Sequence, residues 1–158
     1  MKRLRVLAIA AATGRIGYVL LIGERLLDWG LSRKASKSPE LAARHAQKLI
    51  DDLKPDVVVT EDISKSSTKG SKTRMLIDAI AHVAANANLL DVRATHSQEH
   101  ANKYEEAAHL AIRFPEIAAW VPKKRRLWDP EPRATVLFLA LSLAVVVMDG
   151  RMQGKKEP

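Results

Sequence analysis

The run Val57-Val58-Val59-Thr60-Glu61 constrains this chain more than any other segment. An apolar, β-branched run closed by one acid reads as a buried strand that delivers a carboxylate to a sheet edge. Sheet proteins that hold divalent cations set further carboxylates beside such a residue, because Mg²⁺ takes hard oxygen ligands. Here the neighbouring segments are apolar. The strand and turn Ile9-Ala10-Ala11-Ala12-Thr13-Gly14-Arg15-Ile16-Gly17-Tyr18 carries no acid, and neither does Phe138-Leu139-Ala140-Leu141-Ser142-Leu143-Ala144 near the end.

Length and charge narrow the rest. The 158 residues read as one domain over 1–149 with a basic flexible tail at 150–158, large enough for a core without staples. The absence of cysteine rules out disulfides and thiolate zinc sites and fits a reducing compartment. A net charge of +8 and a pI near 9.9 favour an anionic partner, nucleic acid ahead of a membrane surface. The basic start Met1-Lys2-Arg3-Leu4-Arg5 precedes a strand-like run and not a signal-peptide core, because Arg15 interrupts it. The apolar stretch 134–148 falls short of the ~20 residues a bilayer requires and reads as a core helix. A soluble cytoplasmic protein is expected.

Periodicity and punctuation give the order of elements. Strands are expected at 4–9, 16–22 and 25–31, joined by turns at Thr13-Gly14 and Gly23-Glu24. Ser38-Pro39-Glu40 opens a helix with Ser38 as N-cap, and Lys54-Pro55 closes it. A strand at 57–60, a polar basic loop at 64–72, a helix at 73–88 and a short strand at 91–95 follow. Further helices span about 97–114 and begin again after Trp128-Asp129-Pro130.

In that order the residues resemble the RuvC-type Holliday-junction resolvases of the RNase H-like superfamily. Ile9 to Tyr18 is similar to that family's first strand and turn, with Ala10 where an Asp would stand and Gly17-Tyr18 matching the Gly-Tyr at its end. Pro55-Asp56-Val57-Val58-Val59-Thr60-Glu61 looks like its fourth strand, which ends in a catalytic Glu. Phe138 to Ala144 resembles its last helix, with Leu139 and Val136 where acids would fall. The resemblance covers residues 4–148. It implies an α/β fold with a five-stranded mixed sheet, three strands antiparallel and then two parallel, flanked by helices. It also implies Mg²⁺ or Mn²⁺ as cofactor, branched DNA as substrate and a homodimer.

Two-metal phosphodiester hydrolysis needs a cluster of carboxylates. By the resemblance an Asp at position 10 would bridge both cations, with Glu61 and an acid at 139 each holding one. Ala10, Val136 and Leu139 offer no ligand. Glu61, with Glu131 two turns before Leu139 as a weak second candidate, does not make a stable two-metal site. Impaired catalysis and no stably bound metal are therefore expected. An isolated Glu at a strand end is more often a solvated residue, and only the surrounding order of elements lifts Glu61 above that reading.

His45, His82, His96, His100 and His109 do not form a ligand set by spacing, since His96 and His100 share a helical interval without a third partner. The Thr13-Gly14-Arg15-Ile16-Gly17 turn leads into a strand and so lacks the geometry of a phosphate-cradling loop.

Basic residues carry the stronger signal. Lys65, Lys69, Lys72 and Arg74, interspersed with hydroxyl residues, follow Glu61 on a loop suited to phosphate contacts and expected to be exposed. Lys123, Lys124, Arg125 and Arg126, with Trp128 behind them, form a second cluster for which a solvated face is an equal reading. The sequence is therefore read as a nucleic-acid-binding protein for DNA, branched DNA included, or RNA, related to structure-selective endonucleases. A non-catalytic interaction or architectural module on the same fold is the first alternative. An active junction endonuclease inactivated by substitution is the second.

Overall fold

The computed structural model describes residues 3–63, 69–95, 103–122 and 134–154, with side chains to residue 150. Lys65, Lys123, Lys124, Arg125, Arg126, Glu131, His96 and His100 lie outside the described residues.

Three strands open the chain: β1 (Arg5–Ala12), β2 (Arg15–Ile22) and β3 (Arg25–Ser32). Each junction is a two-residue turn, since Ala12 pairs with Arg15 and Ile22 with Arg25. Both turns place a glycine in the left-handed region, Gly14 at φ 77° and Gly23 at φ 59°, where a Cβ would be strained. α1 (Pro39–Leu53) begins as the sequence requires: the Ser38 hydroxyl accepts the Leu41 N–H at 3.1 Å, and Pro39 sits where no N–H is needed. It ends at Lys54, which adopts φ 49° and donates its N–H to the Ile50 carbonyl before Pro55. The Arg5 guanidinium fastens that end to β1, donating to the Leu53 carbonyl from Nη2 at 2.6 Å.

β4 (Val57–Glu61), α2 (Ser71–Asn86), β5 (Leu90–Ala94), α3 (Lys103–Arg113) and α4 (Thr135–Gly154) complete the fold. Short 3₁₀ turns at Lys34–Lys37 and Pro115–Trp120 were not legible in the sequence. The sheet order is β3-β2-β1-β4-β5. β1, β2 and β3 are antiparallel neighbours, whereas β4 runs parallel to both β1 and β5. This is the five-stranded mixed sheet expected from the sequence. α4 continues to Gly154, so helix extends past Gly150, where the tail was expected to start.

Period-two alternation sorts the two faces. Leu7, Ile9, Leu20 and Val58 pack with Ala42, Ala46, Leu76 and Ile80 of α1 and α2. Val6, Ala8, Ala10, Val19, Val57 and Val59 pack with Phe114, Val136, Leu137, Leu141 and Ala144 on the α3 and α4 side. α4 is buried on most sides along its first three turns, which explains its unbroken apolar sequence. The Ser142 hydroxyl, buried in that stretch, donates to the Leu139 carbonyl at 2.7 Å. Arg113 of α3 locks onto Asp149 of α4 through two hydrogen bonds of 3.1 and 2.9 Å and reaches Glu24 at 3.3 Å. Its guanidinium is held further above its ordinary pKa, chiefly by the hydrogen bonds to Asp149. Among the described residues no helix is long and apolar enough to cross a membrane.

Candidate functional site

The β1–β4 register sets the site. Val6, Leu7 and Ala8 pair with Val57, Val58 and Val59, and Ala10 and Glu61 each lie two residues beyond the last of these pairs, toward the same end of the sheet. Alternation turns both toward α4, on the side of Val57 and Val59. Glu61 is buried there. Ala10 pairs on its other side with Gly17 of β2, and α4 crosses close above. A Cβ on Gly17 would stand 3.0 Å from Val136 Cγ1 and 3.2 Å from its backbone carbon and oxygen. Ala10 and Gly17 thus make a shallow place in the sheet, and Val136, 3% exposed, fills it. Leu139, one turn on, packs at the rim of the same cluster. Ala10, Val136 and Leu139 thus belong to one apolar cluster on the α4 face, and alternation along β4 places Glu61 on that same face.

A lysine completes the arrangement. Lys69 Nζ lies 3.3 Å from Glu61 Oε1 and donates a 2.7 Å hydrogen bond to the Ala11 carbonyl oxygen of β1. The side chains are 19% and 10% exposed, so the pair is largely shielded from solvent. At Glu61 the contact is an ion pair without hydrogen-bond alignment. The sequence reading placed Lys69 on an exposed loop as a phosphate contact. Instead its ammonium is turned inward, because a buried carboxylate and a free strand-end carbonyl converge on one point and a cation satisfies both. Nothing in the local sequence reveals this pairing, since it is a tertiary contact of Lys69 with β1 and β4.

α2 begins at Ser71, earlier than expected, so Lys72 and Arg74 lie in its first turn and not on the loop. Arg74 Nη2 donates to the Ile63 carbonyl at 3.1 Å and braces the chain just beyond Glu61, whereas Lys72 is exposed. One cation near this end was missed: Arg15, which pairs with Ala12 and so lies on the α4 side of the sheet. Its position one residue after the Thr13-Gly14 turn was the available signal.

The donor set does not fit a two-cation centre. Ala10, Val136 and Leu139 are apolar, and the Glu61 carboxylate is engaged by an ammonium. Among the described residues no three His, Cys, Asp or Glu side chains cluster as a metal site. Of the described histidines, His45 is half-buried edge-on to Tyr18, with its pKa lowered by burial and by Lys48. His82 sits beside Asn86 on exposed helix surface, and His109 is exposed.

No protein-family model and no curated protein matches the chain. Solved structures do. Thermus thermophilus RuvC in complex with a Holliday-junction substrate superposes with a TM-score of 0.61 at 14% identity, over 94% of this chain and 96% of that one. Fowlpox virus resolvase in complex with Holliday-junction DNA gives 0.61 at 16% identity, over 94% and 99%. Thermus thermophilus RuvC alone gives 0.57 at 15%, over 93% and 97%. The likeness runs almost end to end, and the chain has the RNase H-like fold of the RuvC-type Holliday-junction resolvases.

Proposed function

We propose that this protein binds nucleic acid, branched DNA first among the candidates, on the RuvC-type fold without cutting it. The carrying observation is the state of Glu61: its carboxylate is paired with Lys69, and the positions where the resemblance would set further acids hold Ala10, Val136 and Leu139. Two-cation hydrolysis relies on carboxylates that position the metals, which in turn stabilise the attacking and leaving oxygens. Removing the other acids and occupying the remaining one with an ammonium takes away that stabilisation. What remains is a sheet of the same architecture, a net charge of +8 and solved relatives in fold that are bound to junction DNA. Lys65, Lys72 and the basic residues 123–126 supply the electrostatic attraction in this reading, with Lys72 the exposed member among those described; Lys69 is engaged by Glu61 and Arg74 by the Ile63 carbonyl. A homodimer that presents two such surfaces to the arms of a junction fits the same reading.

Equilibrium binding to a four-way junction, matched duplex and single strand over a salt series tests the reading. Affinity that falls with salt by a slope of roughly −0.9 per neutralised phosphate on duplex supports it. No binding at physiological salt would replace it with a protein-interaction module on the same fold.

A further inference from the structure

Two oxygen atoms from neighbouring strands, Glu61 Oε1 of β4 and the Ala11 carbonyl of β1, converge on one positive group, the Lys69 ammonium, at 3.3 and 2.7 Å. Carboxylate and carbonyl oxygens are the donors that hard divalent cations also prefer. The ammonium is a compact point charge on a flexible stem, which suits it to such a place better than a planar guanidinium. We infer that Lys69 is the resident cation of this site: a covalently attached positive charge that takes the two oxygens a divalent cation would use and shuts the site to metal. This inference rests on reading this end of the sheet as a former cation site.

The pairing is an integral part of the packing. Both side chains are mostly shielded, Glu61 pairs with the buried Ala94 of β5 and follows the buried Val59 by two residues along β4, and an unpaired carboxylate there would be strongly disfavoured. A divalent ion could enter only by displacing an ammonium that cannot diffuse away. Taking away the lysine while leaving Glu61 and the Ala11 carbonyl should therefore create a binding place for metal that the natural chain lacks.

The test uses the full chain without nucleic acid, so a failure to bind DNA does not bear on it. Mn²⁺ is titrated into isotopically labelled wild type, Lys69→Ala and Lys69→Ala/Glu61→Gln while paramagnetic broadening of backbone amides is followed. The Ala10, Ala11 and Glu61 amides should lose intensity in Lys69→Ala at Mn²⁺ concentrations at least about tenfold below those that affect wild type. The added Glu61→Gln change should abolish the difference. Lys69→Ser, which keeps a donor for Ala11, serves if Lys69→Ala is poorly folded, and Mn²⁺ should raise the melting temperature of either variant but not of wild type. Equal broadening of these amides in wild type and variant would overturn the inference. So would a variant that neither broadens there nor gains melting temperature with Mn²⁺.

Discussion

The ammonium of Lys69 bridges two strands that are parallel neighbours in the sheet, 3.3 Å from the Glu61 carboxylate of β4 and 2.7 Å from the Ala11 carbonyl of β1. A contact of this kind contributes less through its own attraction than through what its removal leaves behind. Lys69→Met keeps the stem and removes the charge, stranding a buried carboxylate. It should cost about 2–4 kcal/mol in denaturant melts. Glu61→Leu combined with Lys69→Met should cost clearly less than the sum of the single changes, because the two groups share one interaction. Additive costs would mean that the pair is not coupled.

Gly17 carries a second expectation. Its missing Cβ is what lets α4 approach β2, with Val136 Cγ1 at 3.0 Å and the Val136 carbonyl at 3.2 Å from where a Cβ would lie. Gly17→Ala should destabilise by about 1–3 kcal/mol through overpacking. Val136→Ala in that background should relieve only part of the loss, because the backbone atoms stay close. Melting temperatures of the three proteins check this.

Much of the architecture was legible in the sequence, for local reasons. The two hairpin turns announce themselves through Gly14 and Gly23, and α1 through Ser38, Pro39 and the Lys54-Pro55 stop. The strand Val57–Glu61 is unmistakable as a β-branched run. That Ala10, Glu61, Val136 and Leu139 belong together was implied by the resemblance to the RuvC-type resolvases, not by spacing alone. The position of Lys69 was not legible. A lysine in a hydroxyl-rich segment looks solvent-facing by composition, and only its tertiary contact with the Ala11 carbonyl of β1 shows that it is turned inward. The 3₁₀ turn Pro115–Trp120 was hidden for a similar reason: Ile117 is fully buried by contacts distant in sequence.

Restoring an acid tests how fully the site has become core. Leu139 packs at the rim of the cluster that contains Ala10 and Val136. Leu139→Asp should therefore cost on the order of 1–3 kcal/mol in metal-free buffer. Adding Ala10→Asp and Lys69→Ala should produce a protein whose melting temperature rises with millimolar Mg²⁺ or Mn²⁺. A triple variant indifferent to cation would show that these positions do not converge on one ion.

Tyr18 gives a pH dependence with a fixed sign. Burial, and then the charge and hydrogen bond of Asp28 at 3.3 Å, push its phenol from 10.0 up to about 12. Between those values the folded state holds a proton that the unfolded state has released. The stability tied to the neutral phenol is thus complete below pH 10 and is lost as pH rises toward 12. Denaturant melts over this range should show stability falling less steeply in Tyr18→Phe than in wild type. Parallel curves would contradict the assignment.

Between Glu61 and the first turn of α2 the described basic residues should separate in their effect on nucleic-acid binding. Lys72 is exposed, whereas Lys69 is held inward and Arg74 is braced on Ile63. Lys72→Ala should reduce the salt slope of DNA binding by about one phosphate's share, roughly 0.9, and leave melting unchanged. An unaltered slope would shift the contact surface toward residues 123–126.

The most direct test of the account joins binding and cutting in one measurement. Fluorescence anisotropy with a labelled four-way junction, in EDTA and in millimolar Mg²⁺ or Mn²⁺ at matched ionic strength, reports affinity, and denaturing gels of the same samples report strand integrity. The account predicts salt-sensitive binding in EDTA and intact strands under every condition. Metal-dependent cleavage that disappears in Glu61→Gln would contradict it.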